Sequence, residues 1–234
     1  MPKKSLPLSG LTERDRLLLE QVDRYRLSTI SALRKAVTPE LSRNAATKII
    51  QRLCVAGWLQ KYPLRHPDCY FVLGQAGTRF FGRGRERVRP LGPQSLPIAY
   101  ALLFYTVLAR HARRRLTPTE VCTRCPWISP MLARAPHCSD SGSDVLELVR
   151  VDLGGPVHHV ARKCAADVAI RIRIREFPGW VAAGHFRLVV ITSAPEKGVA
   201  LRQALDRHSW PTGLAIHLSV IPALLSVLPG KHHA

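Results

Sequence analysis

Between Ser42 and Arg52 the stretch SRNAATKIIQR sets Ser42, Arg43, Asn44, Thr47, Lys48, Gln51 and Arg52 on one side of a 3.6-residue period. These side chains are hydrogen-bond donors and fixed cations, with no acid among them. Such an array recognises flat acceptor edges and anionic oxygens; it breaks no bonds. A second set, Cys122-Thr-Arg-Cys125 with His137 and Cys138, has the spacing of half a zinc site. The competing reading puts Cys122 and Cys125 one turn apart on the apolar side of a helix, as core residues. A third set is Asp140, Asp152 and Lys163, the residue types that hold Mg²⁺ and activate water in a metal-dependent nuclease. Glu147 precedes Asp152 by five positions, so on one strand the two point to opposite faces. The position two past Asp152 is Gly154, where such an enzyme needs lysine. His158 and His159 are adjacent and would diverge on a helix. The turn SAPEKG offers a helix amino end to a phosphate, or only a cap.

Charge says what these sets would meet. The 234-residue chain has 35 Lys and Arg against 16 acids, a formal net charge of +19. Up to residue 92 there are 18 cations against 7 acids, and beyond it 17 against 9, so the excess covers both halves. A surface this basic concentrates polyanions and points to nucleic acid. Arginine-rich codon usage would give the same sum without a partner. The hydrophobic fraction of 46% is that of a globular protein and excludes disorder throughout. The six cysteines lack the spacing of a disulfide framework. The opening MPKKSLPLSG is a basic leader without an apolar core, and the apolar run Ile98 to Leu108 is too short for a bilayer. The expectation is a reduced, cytoplasmic, nucleoid-associated protein without a membrane partner.

The elements that must position the donor face are legible around it. Thr12 caps a helix through LTERDRLLLEQVDRYR, with Leu17, Leu18 and Val22 inward; Ser28 or Thr29 caps ISALRKAV, which Thr38-Pro39 ends. A third helix starts near Glu40 or Ser42, buries Ala46, Ile49, Ile50, Leu53 and Cys54, and stops at Gly57. WLQKY and CYFVL read as two strands around PLRHPD, with Arg65 and His66 at the tip, and GQAGTRFFG as a closing helix. Residues 83–95 read as a basic linker carrying Arg83, Arg85, Arg87 and Arg89, kept from long helix by Gly and Pro. An apolar helix from Leu96 to Arg113 follows, ending in His111, Arg113, Arg114 and Arg115, which suit its dipole. Thr117-Pro118-Thr119-Glu120 opens a short helix. VLELVRVDLG, FRLVVIT and GLAIHLSVIP read as strands, with helices through PVHHVARKCAADVAIRIRIREF and APEKGVALRQALDRHSW between them and ALLSVLPG last. That order implies a sheet with helices on it. A further short strand near His137–Asp140 would complete a nuclease-like core.

Three helices and a hairpin make the winged helix-turn-helix arrangement. The pattern RLCVAGWLQK … CYFVLGQAGTRFF over residues 11 to 82 resembles the winged-helix domains of bacterial regulators and of the replication-relaxation family. Residues 96 to 228, through LVRVDLGG, VARK and FRLVVITSAPEKGVALRQAL, resemble the carboxy-terminal half of that family, a diverged restriction-endonuclease-like fold to which some plasmid mobilization relaxases are similar. The fold class expected is therefore α+β: a winged helix-turn-helix over residues 1–82, the linker 83–95, and an α/β nuclease-like domain over 96–234. Arg43, Asn44 and Thr47 are the candidates for base edges, Lys48, Gln51 and Arg52 for phosphates, and Arg65 for minor groove or backbone. Arg83, Arg85 and Arg87 would follow the phosphate backbone. The resemblance implies a DNA-binding protein of a plasmid or integrative element, acting in transcription, replication, mobilization or recombination. A homodimer using the segments between Phe186 and Leu228 would bind palindromic duplex DNA, with other proteins of the element as further partners. No cofactor is expected. The alternatives are a Mg²⁺-dependent nicking nuclease using Asp140, Asp152 and Lys163, and a winged-helix scaffold for protein contacts.

Overall fold

The computed structural model describes residues 10–228 apart from His66, His111 and Ser141, so those two expected histidines and the basic leader up to Ser9 lie outside the described residues. The chain divides into two compact units, residues 1–108 and 109–234, and mixes helices with a two-stranded antiparallel sheet and a five-stranded sheet.

In the first unit, α1 (Glu13–Tyr25) opens with a capping box in which Thr12 and Asp15 satisfy each other's backbone amides. Thr29 caps α2 (Ile30–Val37), and Ser42 caps α3 (Arg43–Val55). Strands β1 (Leu59–Arg65) and β2 (Asp68–Leu73) pair antiparallel, with an irregularity between Pro63 and Arg65. Helix α4 (Gln75–Phe80) closes the group. Leu18, Leu19, Val22, Leu33, Ile50 and Leu53 pack with Trp58, Phe71 and Leu73 into one core. Leu17, expected inward, is 42% exposed; Leu19 takes its place. The turn out of α3 is tight. Gly57 sits at φ +77°, and a Cβ on Gly74 would lie 2.2 Å from the Gly57 carbonyl oxygen, so glycine is required where these two backbones cross.

The boundary expected at residue 96 is displaced. Helix α5 (Ser95–Leu103) and the π-helical turn Phe104–Leu108 belong to the first unit. Ala99 and Leu103 pack with Tyr25, Leu27, Ala32, Tyr70 and Val72, covering the second face of β2. Nor is 83–95 a free tether. Arg85–Val88 forms a 3-10 turn, Tyr62 donates to the Val88 carbonyl at 2.7 Å, and the Leu91 amide donates to the Tyr70 hydroxyl at 3.1 Å.

The second unit starts with a strand where helix was expected: β3 (Arg113–Leu116) takes Arg113, Arg114 and Arg115 out of any helix terminus. Then come α6 (Pro118–Arg124), α7 (Pro130–Ala133), β4 (His137–Asp140), β5 (Leu146–Val151), α8 (Val157–Ile172), α9 (Phe177–Ala182), β6 (Phe186–Thr192), α10 (Pro195–Asp206) and β7 (Ala215–Val220), with a 3-10 turn over Pro222–Val227. The sheet runs in sequence order, β3 to β7, antiparallel through β5 and parallel from β5 to β7. Leu146, Leu148, Phe186, Leu188 and Val190 alternate onto one face and meet Val160, Cys164, Val168, Phe177, Leu201 and Leu205 of the helices. Strand β6 is an inner strand, buried apart from Arg187, which leaves Phe186–Thr192 little surface for a dimer; β7 lies at the sheet edge.

Candidate nucleic-acid interface

Helix α3 splits cleanly along its length. Ala46, Ile50 and Leu53 are buried, whereas Arg43, Asn44, Lys48 and Gln51 are exposed on the other side. The Ser42 hydroxyl accepts from the Ala45 amide at 3.2 Å, so the helix begins at the donor cluster, which is its first turn. Two members of the expected set are already engaged. The Thr47 hydroxyl donates back to the Arg43 carbonyl at 2.8 Å. Arg52 pairs at 2.5 Å with Asp15, whose side chain is 1% exposed; it ties the end of α3 to the start of α1 instead of standing ready for phosphate.

The hairpin tip stands beside the start of α3. Arg43 shares a cavity of about 160 Å³ with Thr29, Ile30 and Ser31 of α2, Leu64, Pro67, Asp68 and Cys69 of the hairpin, and Tyr100. Arg65 is exposed in register with Asp68, on the same side of the unit. Of the arginines expected along the 83–95 segment, Arg83 forms a bidentate pair with Asp23 at 2.6 and 2.9 Å, which also raises its pKa. Arg87 is half-buried and its pKa is lowered, first by burial and then by Arg26. Arg85 and Arg89 are exposed. The expected outcome for Arg85→Ala is an equal weakening of specific and nonspecific duplex binding, with the salt slope reduced by about 1. Titrating both duplex types across a salt series checks it; a loss confined to the specific site would refute a backbone role.

The acidic set is not brought together. Asp140 ends β4 opposite Arg113, and Ser139 pairs with Leu146 at the start of β5. Asp152 follows the far end of β5, roughly 20 Å away at the rise of a strand. Lys163 is exposed on α8, whereas Val160, Ala161 and Cys164 face the core. The lysine that meets Asp152 is Lys197, at 2.7 Å. Parallel pairing makes this possible: Val151 lies opposite Ile191, so Asp152 and Thr192 end adjacent strands together. The buried Asp152 carboxylate accepts from Lys197, from the Thr192 hydroxyl at 3.0 Å and from the Gly154 amide at 3.0 Å. It staples the β5–α8 loop to the first turn of α10. The strand ending in Thr192 and the SAPEKG turn were the sequence signal for this partner. Asp152→Asn turns the amide against these donors and strips Lys197 of its counter-charge. Because Lys197 keeps 23% side-chain exposure, a destabilisation at the low end for a broken buried pair, about 3 kcal/mol, is expected by urea denaturation; an unchanged midpoint would show that the staple carries no stability.

Glu147, also fully buried, meets Arg187 at 3.2 Å and Arg113 at 3.5 Å. Arg187 carried no signal in the sequence, and Arg113 was expected at a helix end instead. The four zinc candidates are scattered into packing roles. Cys122 and Cys125 sit against the helix core, while Cys138 pairs opposite Glu147 in the sheet. Burial pushes the Cys125 thiol up to about 11 and that of Cys138 up as well. Among the described residues no group of three or more His, Cys, Asp or Glu is placed to hold a metal. No helix there is long and apolar enough to cross a membrane.

Comparison with protein-family models, with curated proteins and with solved structures returns no match, so function is read from the residues and their geometry.

Proposed function

We propose that this chain is a sequence-specific double-stranded DNA-binding protein whose first unit works as a winged helix-turn-helix. One observation carries the reading: the exposed, acid-free face of α3, with Arg43, Asn44, Lys48 and Gln51 opposite a buried Ala46–Ile50–Leu53 stripe. An α-helix fits the major groove, where Arg reads guanine and Asn reads adenine through paired hydrogen bonds. Arg43 and Asn44 are in the first helical turn, the end that a recognition helix directs at the bases. Lys48 and Gln51, one and two turns on, reach phosphates, and Arg65 on the hairpin contacts the flanking backbone. The net charge of +19 supplies the nonspecific attraction.

We read the second unit as α/β and nuclease-like in its strand and helix order, with Asp152 as a structural anchor. A two-fold dimer would set two α3 helices on one palindromic site. The setting, a regulator or accessory factor of a mobile element, rests on the resemblance of residues 11–82 and 96–228. The test is selection of duplexes from a random pool by the full chain. Enrichment of one short sequence is expected; retention of the pool without enrichment would overturn sequence-specific reading and leave a charge-driven binder.

A further inference from the structure

The second unit neutralises much of its positive charge internally. Arg113 and Arg187 meet Glu147, Arg114 meets Glu120, Arg124 meets Asp144, Arg150 meets Asp167 and Lys197 meets Asp152. The first half of α8 groups its basic residues on one stripe. His158, His159, Arg162 and Lys163 are all exposed, and none of them forms an ion pair among the described residues. Their spacing, two i,i+4 pairs side by side, makes one stripe on the helix. No acid occurs from Gly154 to Ala166. The two imidazoles, which adjacency on a helix was expected to separate, lie edge to face with centroids 4.5 Å apart. The neighbouring charges of His158, Arg162 and Lys163 add to desolvation in lowering the His159 pKa.

The amino end of a helix favours anions, yet α8 has no acid in its first turn and no side-chain cap. An acid-free first turn, followed one turn on by the exposed cations Arg162 and Lys163, is a surface that an external anion completes.

We infer that the stripe His158, His159, Arg162 and Lys163 is a second duplex-contact surface, which holds the phosphate backbone of double-stranded DNA. The inference rests on the duplex-binding reading above. The stripe has no carboxamide donors for base edges, so its contribution is independent of sequence. Each phosphate it neutralises releases condensed counterions, and the signature is therefore a change in salt dependence.

The experiment compares the full chain with Arg162→Ala/Lys163→Ala on a selected duplex and on a random duplex of equal length, across a salt series. The expected result is a roughly equal loss of affinity for both duplexes, with the slope of log affinity against log salt reduced by about 2. The thermal midpoint should hold, since both side chains are exposed. Arg162→Gln/Lys163→Gln, which keeps length and hydrogen bonding, should behave the same and covers the case in which the alanine pair fails to fold. An unchanged slope in either folded variant overturns the inference while leaving the α3 reading intact. A wild-type chain that binds neither duplex overturns both.

Discussion

Replacing Arg43 and Asn44 together by alanine is expected to erase sequence preference and to lower specific duplex affinity at least about thirtyfold, since each paired contact to a base edge is worth about 1–3 kcal/mol. Nonspecific affinity should fall far less, because Lys48, Arg65, Arg85 and the charge of the second unit remain. The substitution is a clean probe. Alanine is the best helix former, Ser42 still caps the helix, and Ala46, Ile50 and Leu53 still hold α3 to its core. Competition titrations with selected and scrambled duplexes measure the ratio. An unchanged ratio with the fold intact would remove α3 from the groove and favour a scaffold whose donor face binds protein.

Acidification is expected to destabilise the second unit through His137. This residue is fully buried in β4, and burial, with the Arg171 charge second, pushes its pKa down to about 4 from 6.5. The native state therefore holds the imidazole neutral while the unfolded chain takes up a proton below pH 6.5. Stability contributed by the neutral form is complete above pH 6.5 and is lost as pH falls toward 4. At 1.36 kcal/mol per unit the loss is about 2 kcal/mol by pH 5 and about 3 by pH 4. Arg171 is 1% exposed, and burial lowers its pKa to about 10, so it stays charged across this window. Urea denaturation at pH 7, 6 and 5 should show the wild-type slope, and His137→Asn should flatten it over that window. Parallel pH profiles for the two proteins would show that His137 is not the titrating group.

Periodicity and capping residues made most of the architecture legible. Thr12, Thr29, Ser42 and Thr117 each cap the helix expected of them, and the short strand near His137–Asp140 is present. The displaced boundary had a signal of its own. The run Tyr70 to Leu73 is apolar without alternation, so both faces of β2 must be covered, and α5 supplies the second cover. The helix expected through Arg113 gave way to β3, since Arg113, Arg114 and Arg115 pair with Asp140, Ser139 and Cys138 across 22 or more residues of sequence. Long-range partners of this kind leave no local trace. The same holds for Lys197 at Asp152 and Arg52 at Asp15, pairs 45 and 37 residues apart. Residue types on α3 revealed its exposed face, but which of its cations were already engaged depended on packing.

Duplex affinity of the purified full chain, measured as a function of salt, bears most directly on the central claim. The account predicts firm binding near ~50 mM salt and a steep fall by about 200 mM, as expected when several phosphates are neutralised. A chain that fails to retain any duplex at the lower concentration would contradict it.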